Sequence, residues 1–374
     1  MRKLRVIITG GGTGGHIYPA LAIAKGLKES FDSTEILYVG TNKGLEADIV
    51  PKSGLAFTTV CVEGFTRPIS VKTISSVFKA LKGCWESLNV VRAYKPHVVV
   101  GTGGYVCGPV VLAAALLGIP TVIHEQNAIP GFTNRILSRF ADRVCVTFED
   151  SIKYFSKKEG IQLTGLPVRP EIISMDQKTG IQSLGLSEDK ITVVITGGSR
   201  GARSINMGAE KVLCAFFNRK DIQVVHVTGH DGFDDTLSTM KKNGIVPGKG
   251  SNIIVVPYLY QIEHALAAAD IIVGRAGASF LSEIMVRGIP SILIPYPYAA
   301  NNHQEYNARS LVCHGAAKMI LDKNLTGNIL LKTLEEMIAD VPLRKRMAGA
   351  AKEMGKINAL NEIIDIIAGI STKR

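Results

Sequence analysis

The run Leu4-Arg5-Val6-Ile7-Ile8 passes into Gly10-Gly11-Gly12-Thr13-Gly14-Gly15-His16, and a helical pattern opens at Ile17. A strand, a glycine turn and a helix in that order present backbone amides and the positive end of a helix dipole to an anion. Glycine supplies the positive φ that so tight a turn needs. His16 closes the turn, and imidazole is the side chain suited to proton transfer near neutral pH. His16 is therefore a candidate general base, with capping of the loop as the plainer alternative. Gly10, Gly12 and Gly15 spell G-x-G-x-x-G, which suggests a dinucleotide site. The second strand, however, ends Val39-Gly40-Thr41-Asn42 without the carboxylate that a NAD ribose requires. No Gly-Lys-Ser/Thr follows the turn, which excludes a Walker loop.

Outward from that turn, short β-branched runs alternate with amphipathic stretches. Strands are expected at 4–8, 35–39, 97–101, 121–124 and 143–146, and helices at 17–29, 71–93, 109–117 and 131–140. This alternation predicts an α/β fold with doubly wound parallel sheets. Gly165-Leu166-Pro167-Val168-Arg169-Pro170 interrupts it, and two close prolines suit a crossover. The pattern restarts with strands at 191–196, 223–227, 252–256, 271–274 and 292–295. Its first strand again runs into glycines, Thr196-Gly197-Gly198-Ser199-Arg200-Gly201. The expectation is two Rossmann-like domains facing across a cleft, 1–165 and 166–342, followed by a helical tail over 343–374.

The length of 374 residues agrees with two cores. The net charge is +11, and most of the excess lies in residues 1–165, which suggests an anionic partner for that half. Six scattered cysteines without a C-x-x-C pair read as reduced thiols in a cytosolic protein. A strand begins within the first few residues, so no signal peptide is expected. The longest apolar stretch, 109–123, contains Gly118 and Pro120 and is too short to span a bilayer. Any membrane contact should be peripheral.

Further polar clusters follow strands, where open α/β sheets bind ligands. Gly103-Gly104-Tyr105 follows 97–101, and His124-Glu125-Gln126-Asn127 follows 121–123. The latter suits a polyhydroxyl ligand, and Glu125 rivals His16 as base. In the second half, Gly197-Gly198-Ser199 can hold an anion. Arg275-Ala276-Gly277-Ala278-Ser279-Phe280-Leu281-Ser282-Glu283 opens another helix, whose Glu283 could accept from ribose hydroxyls or simply complement the dipole. Asn301-Asn302-His303-Gln304-Glu305 supplies amides for sugar hydroxyls. There is no D-x-D pair and no metal-spaced histidine cluster, so no metal and no cofactor is expected. A diphosphate leaving group would be stabilised by amides, Ser199 and Arg169. In the helix at 71–93, Val71, Ile74, Phe78, Leu81, Trp85 and Leu88 form a stripe bordered by Lys82. The stripe either packs on its own sheet or docks on an anionic bilayer.

Gly12-Thr13-Gly14-Gly15-His16, Gly103-Gly104-Tyr105, His124-Glu125-Gln126-Asn127, Gly197-Gly198-Ser199 and the stretch 277–283 resemble, in order, the motifs of the MurG family of bacterial glycosyltransferases. The resemblance spans nearly the whole chain and implies a GT-B fold whose C-terminal helix crosses back to the first domain. It implies inverting transfer of N-acetylglucosamine from UDP-GlcNAc to the C4 hydroxyl of lipid I, undecaprenyl-pyrophosphoryl-MurNAc-pentapeptide, which makes lipid II for peptidoglycan without a required metal. By the same resemblance Thr13, Gly14, Gly15 and Asn127 border the donor sugar and acceptor. Gly14, Gly15, Gly103, Gly104 and Tyr105 would bind the acceptor. Arg169, Ser199, Leu259, Gln304 and residues Ala278, Ser279, Phe280, Leu281, Ser282 and Glu283 would form the donor site. There Leu259 meets uracil through its backbone, Glu283 the ribose and Gln304 the sugar. One departure bears on Gln304: it stands beside His303, where some relatives carry two adjacent glutamines.

Because the acceptor is lipid-linked, the resemblance favours Ile74, Phe78, Leu81, Lys82 and Trp85 as a membrane patch on the cytoplasmic face of the inner membrane. It implies a part in cell shape and division, leaves other cell-wall and division proteins open as partners, and implies no nucleic acid. The rival readings are a GT-B transferase acting on another lipid such as diacylglycerol, a nicotinamide oxidoreductase, and a non-catalytic membrane-recruited sensor.

Overall fold

Short runs of valine and isoleucine build two parallel sheets in the computed structural model, which describes residues 4–62, 72–248 and 250–372, with side chains at all of these except 72–80. The first sheet contains β1 (Leu4–Thr9), β2 (Thr34–Gly40), β3 (Ala56–Thr59), β4 (Val98–Gly101), β5 (Thr121–Glu125), β6 (Arg143–Val146) and β7 (Ile161–Leu163). Its seven strands lie in the order β3-β2-β1-β4-β5-β6-β7. The second contains β8 (Ile191–Thr196), β9 (Ile222–Val227), β10 (Ile253–Val256), β11 (Ile271–Gly274), β12 (Ser291–Leu293) and β13 (Ala317–Met319). Its six strands lie in the order β10-β9-β8-β11-β12-β13. The central strands β4, β5, β9 and β11 are buried throughout, as parallel strands covered by helices on both faces must be.

The sequence reading misses β3, β7 and β13. All three are short, partly exposed sheet edges, so they lack the continuous apolar run that marks a central strand.

The chain divides into two compact units, residues 1–167 with 358–374, and residues 168–357. The tail expected as one helical stretch is two helices, Val341–Met354 and Ala359–Ser371. Gly355 separates them: a Cβ there would lie 2.8 Å from the Met285 backbone, so only glycine lets the chain pass so close. Met347 of the first helix joins the second unit's core. Ile363, Ile364, Ile367 and Ile370 of the second join the core of the first unit. The stretch that joins the first unit thus starts at Asn358, and 343–357 stays with the second.

The same register recurs in both sheets. In each, the first strand lies between its successor and the strand where the order reverses. Thr9 pairs with Val39 on one side and Gly101 on the other. Thr196 pairs with Val227 and Gly274. The two glycine turns therefore leave their sheets at equivalent switch points, the places where such sheets open a crevice for ligands.

Candidate functional site

In the first unit the turn after β1 is held from below by a buried carboxylate. Glu46 accepts from the Gly12 amide at 3.0 Å, the Thr41 amide at 3.1 Å and the Thr41 hydroxyl at 2.7 Å. The space it occupies is kept clear by glycines: a Cβ on Gly11 would lie 2.6 Å from Glu46 and one on Gly44 only 2.1 Å away. The Tyr38 hydroxyl donates to the Gly10 carbonyl at 2.7 Å. The Gly11 amide donates to the Gly103 carbonyl at 3.2 Å, which ties the β1 turn to the β4 turn. Gly104, at φ 84°, passes so near that a Cβ would sit 2.3 Å from the Gly11 carbonyl oxygen. The Cys107 thiol, fully buried and pushed up to about 12 by that burial, donates to the carbonyls of Thr9 and Gly103. Thr13 and Gly15 are exposed at the surface of this pinned frame, and Gly14 and Tyr105 are half-buried.

His16 sits in the first turn of the helix Gly14–Ser30. Its Nδ1 lies 3.1 Å from the Thr102 carbonyl oxygen and 3.1 Å from Gln126 Oε1, two acceptors, so Nδ1 carries the proton. Nε2 is then the lone-pair nitrogen, with no protein partner among the described residues. The rival base is differently placed. Glu125, at the end of β5, is buried and accepts from the Asn127 amide at 3.0 Å and the Asn127 side chain at 3.3 Å. It also accepts from the Gly131 amide at 3.1 Å and the Asn134 side chain at 2.9 Å. With both oxygens engaged, its carboxylate shapes the Asn127 loop, whereas His16 keeps the Nε2 lone pair.

In the second unit the turn after β8 is more open. The Gly198 amide meets Thr196 Oγ1 at 3.1 Å and the Gly201 amide meets the Gly198 carbonyl at 2.9 Å, while Ser199 and Arg200 are exposed. Arg275 is spent internally: it donates to Asp322 at 2.5 Å, to Ser204 at 3.1 Å and to the carbonyls of Ile294 and Pro295. The helix Ala278–Arg287 starts beside this turn. Leu281 is fully buried and offers a ligand only its backbone, and the Ser282 hydroxyl, donating to the Ala278 carbonyl, is left able only to accept. Gln304 Oε1 accepts from the amides of Ala276 and Tyr296, at 3.1 and 3.0 Å, which leaves its amide nitrogen to meet a ligand. Leu259 lies half-buried just beyond β10.

Arg169 stands between two carboxylates, 3.6 Å from Glu283 and 3.9 Å from Glu263. Burial pushes the Glu283 carboxyl up to about 7; Arg169 pulls it back and Glu263 adds to the rise. Glu263 is a site residue the sequence reading misses, as is Glu46. Each looks like an ordinary acidic position in the first turn of a short helix. Only the packing shows that Glu46 lies under the glycine turn and Glu263 beside Arg169.

The apolar stripe on the helix Lys72–Tyr94 divides. Val71 lies outside the described residues, as do the side chains of Ile74 and Phe78. Leu81 and Trp85 are 63% and 64% exposed, and Lys82 is exposed beside them. Leu88 packs on the core with Val91. Of its described side chains, Leu88 covers the sheet while Leu81 and Trp85 do not. The helix Cys107–Leu116 packs against Lys72–Tyr94 and also against Phe132–Leu137. Those two neighbouring helices expose Leu116, Phe132 and Ile136, with Phe140 just beyond. No helix among the described residues is long and apolar enough to cross a membrane, and no three His, Cys, Asp or Glu side chains among them gather as a metal site.

Residues 6–146 match the glycosyltransferase family 28 N-terminal domain and residues 192–364 its C-terminal domain. The chain is 51% identical over 367 residues to the UDP-N-acetylglucosamine–N-acetylmuramyl-(pentapeptide) pyrophosphoryl-undecaprenol N-acetylglucosamine transferase of Desulforamulus reducens, covering 98% of this chain and 99% of the relative. It is likewise 51% identical to the enzyme of the same name from Desulfitobacterium hafniense, covering 97% and 98%. Among solved structures it is similar to Acinetobacter baumannii MurG, with 28% identity, a TM-score of 0.80, and 98% and 99% of the two chains covered.

Proposed function

Since the chain belongs to glycosyltransferase family 28, in the branch of the UDP-N-acetylglucosamine–N-acetylmuramyl-(pentapeptide) pyrophosphoryl-undecaprenol N-acetylglucosamine transferases, we propose that it makes lipid II from lipid I and UDP-GlcNAc, a step of peptidoglycan synthesis. The acceptor's C4 hydroxyl gives its proton to His16 Nε2 while its oxygen bonds to C1 of N-acetylglucosamine. The bond from C1 to the diphosphate oxygen breaks, its electron pair leaves with UDP, and attack from the opposite face inverts C1. The proton then passes from His16 to solvent. The observation that carries this reading is the histidine itself: a glycine turn at a switch point fixes an imidazole with one nitrogen donated inward and the other bare.

The second turn supports the donor half. Exposed Ser199 and the amides around it bind the diphosphate and Glu283 accepts from the ribose, a reading supported by the Arg169 cation 3.6 Å from Glu283. Leu259 meets uracil through its backbone and Gln304 donates to the sugar. The residues Ala278 to Glu283 complete the pocket, while Thr13, Gly14, Gly15 and Asn127 border the reacting sugars. Gly103, Gly104 and Tyr105 border the acceptor. Amides and Arg169 stabilise the departing diphosphate, so the reaction proceeds without a metal.

Lipid I sits in a bilayer, and the exposed Leu81, Trp85 and Lys82 form the docking patch. Each such side chain that inserts adds about 1.5–3 kcal/mol, and each nearby lysine about 1 kcal/mol on an anionic surface. Docking is therefore peripheral, at the cytoplasmic face of the cell membrane. The test is UDP release from UDP-GlcNAc with a lipid I analogue, a diacylglycerol control, and a chelator. Turnover on the lipid I analogue alone, unaffected by chelation, is expected. Turnover on diacylglycerol would reassign the acceptor, and loss on chelation restored by magnesium would overturn the metal-free account.

A further inference from the structure

We propose that Gln126 and His124 are positioning residues for the transfer: they form a hydrogen-bonded relay that fixes His16 in the tautomer with Nδ1 protonated and Nε2 open to the acceptor hydroxyl. This rests on the reading of His16 as the base. The relay starts at the Gly165 carbonyl, 2.8 Å from His124 Nε2. A carbonyl oxygen only accepts, so His124 carries its proton on Nε2 and presents the Nδ1 lone pair. Gln126 Nε2 lies 3.0 Å from that Nδ1 and 2.8 Å from the Thr102 carbonyl oxygen, both acceptors, so the amide nitrogen must face them. Gln126 Oε1 is thereby turned toward His16 Nδ1 at 3.1 Å.

The orientation is fixed twice over, since the Thr102 carbonyl demands the same amide orientation and the same His16 proton. Burial keeps His124 neutral, pushing it down to about 4, so the lone pair that orients Gln126 persists through the physiological range. A flipped amide would offer His16 Nδ1 a donor instead and would drive the proton onto Nε2, where no base function is left. The dispositions of Glu125 and Gln126 differ accordingly. The carboxylate is taken up by its own loop, whereas the amide reaches across to the β1 turn.

The experiment combines imidazole 15N spectra with kinetics on the full-length protein. In the wild type, signals assigned with His16→Ala should show His16 as the Nδ1–H tautomer and His124 as the Nε2–H tautomer. Observation of His16 as the Nε2–H tautomer overturns the proposal and needs no variant that must fold. In Gln126→Leu, which leaves the Thr102 carbonyl as the remaining acceptor for the Nδ1 proton, a population of the Nε2–H form of His16 should appear and kcat should fall several-fold. The KM for UDP-GlcNAc should stay within about twofold. Unchanged kcat, or loss of kcat with an unchanged His16 tautomer, would make Gln126 a mere loop tether and overturn the proposal. The expected tautomers in a protein that releases no UDP would sink the transferase reading and leave the relay standing, so the two failures are distinguishable.

Discussion

In the first unit the glycine turn is fastened from every side, by Glu46 beneath, Tyr38 on Gly10, the Gly103 carbonyl on Gly11 and the Gln126 relay on His16. In the second unit the turn at the equivalent register keeps two short internal bonds, and its Ser199 and Arg200 side chains stay exposed. Under the proposed function, the same strand–turn–helix device serves two purposes. A group that must accept a proton from one atom at one angle needs a rigid seat. A diphosphate has many oxygens and can be gripped by amides and mobile cations that settle when it arrives.

The comparison breaks most visibly at the base. His16→Ala should lower kcat by about 10²- to 10⁴-fold with UDP affinity retained, measured by UDP release and by calorimetric titration. Full turnover in that variant would move proton transfer elsewhere.

Stability should separate the two turns next. Glu46→Ala strands three donors in a buried site and should cost about 3–5 kcal/mol in urea unfolding. Ser199→Ala, on the open turn, should stay within about 0.5 kcal/mol. Equal costs would mean that the two turns are pinned alike.

Glu283 sharpens the donor side. At pH 8, where the Glu283 carboxylate is ionised, Glu283→Gln should weaken UDP binding by about tenfold, as befits a charge-assisted bond to ribose. Its carboxyl rises from the ordinary 4.5 to about 7 in the folded chain. Between those values the native protein holds a proton that the unfolded chain has released, so wild-type stability declines as pH rises through the window. Glu283→Gln has no such proton, and its melting temperature relative to wild type should climb from pH 5 to pH 8. A difference independent of pH would contradict the burial account. The surface gives a further test: Trp85→Glu should reduce binding to anionic vesicles by about tenfold or more, as the loss of an inserted ring requires. Undiminished binding would remove the patch.

The parallel α/β class and both glycine turns were legible because central strands are continuous Val/Ile runs and glycine has few other reasons to cluster after them. The edge strands β3, β7 and β13 were not, since an edge needs no apolar run. The tail reads as one helix in sequence because its apolar residues keep helical spacing on both sides of Gly355, while their destinations differ. At the site, His16 and Glu283 stand out by position after a turn. Glu46 does not, and Gln126 stands out only as one of a polar cluster after a strand, because each works across a sequence gap, 34 residues to Gly12 and 110 to His16. Spacing along one element cannot report such contacts.

The division of labour between the turns is tested most directly by titrating UDP into wild type, His16→Ala and Arg169→Ala under one set of conditions. The account predicts wild-type affinity in His16→Ala and at least about tenfold weaker binding in Arg169→Ala. Weakened binding in His16→Ala with full affinity in Arg169→Ala would contradict it.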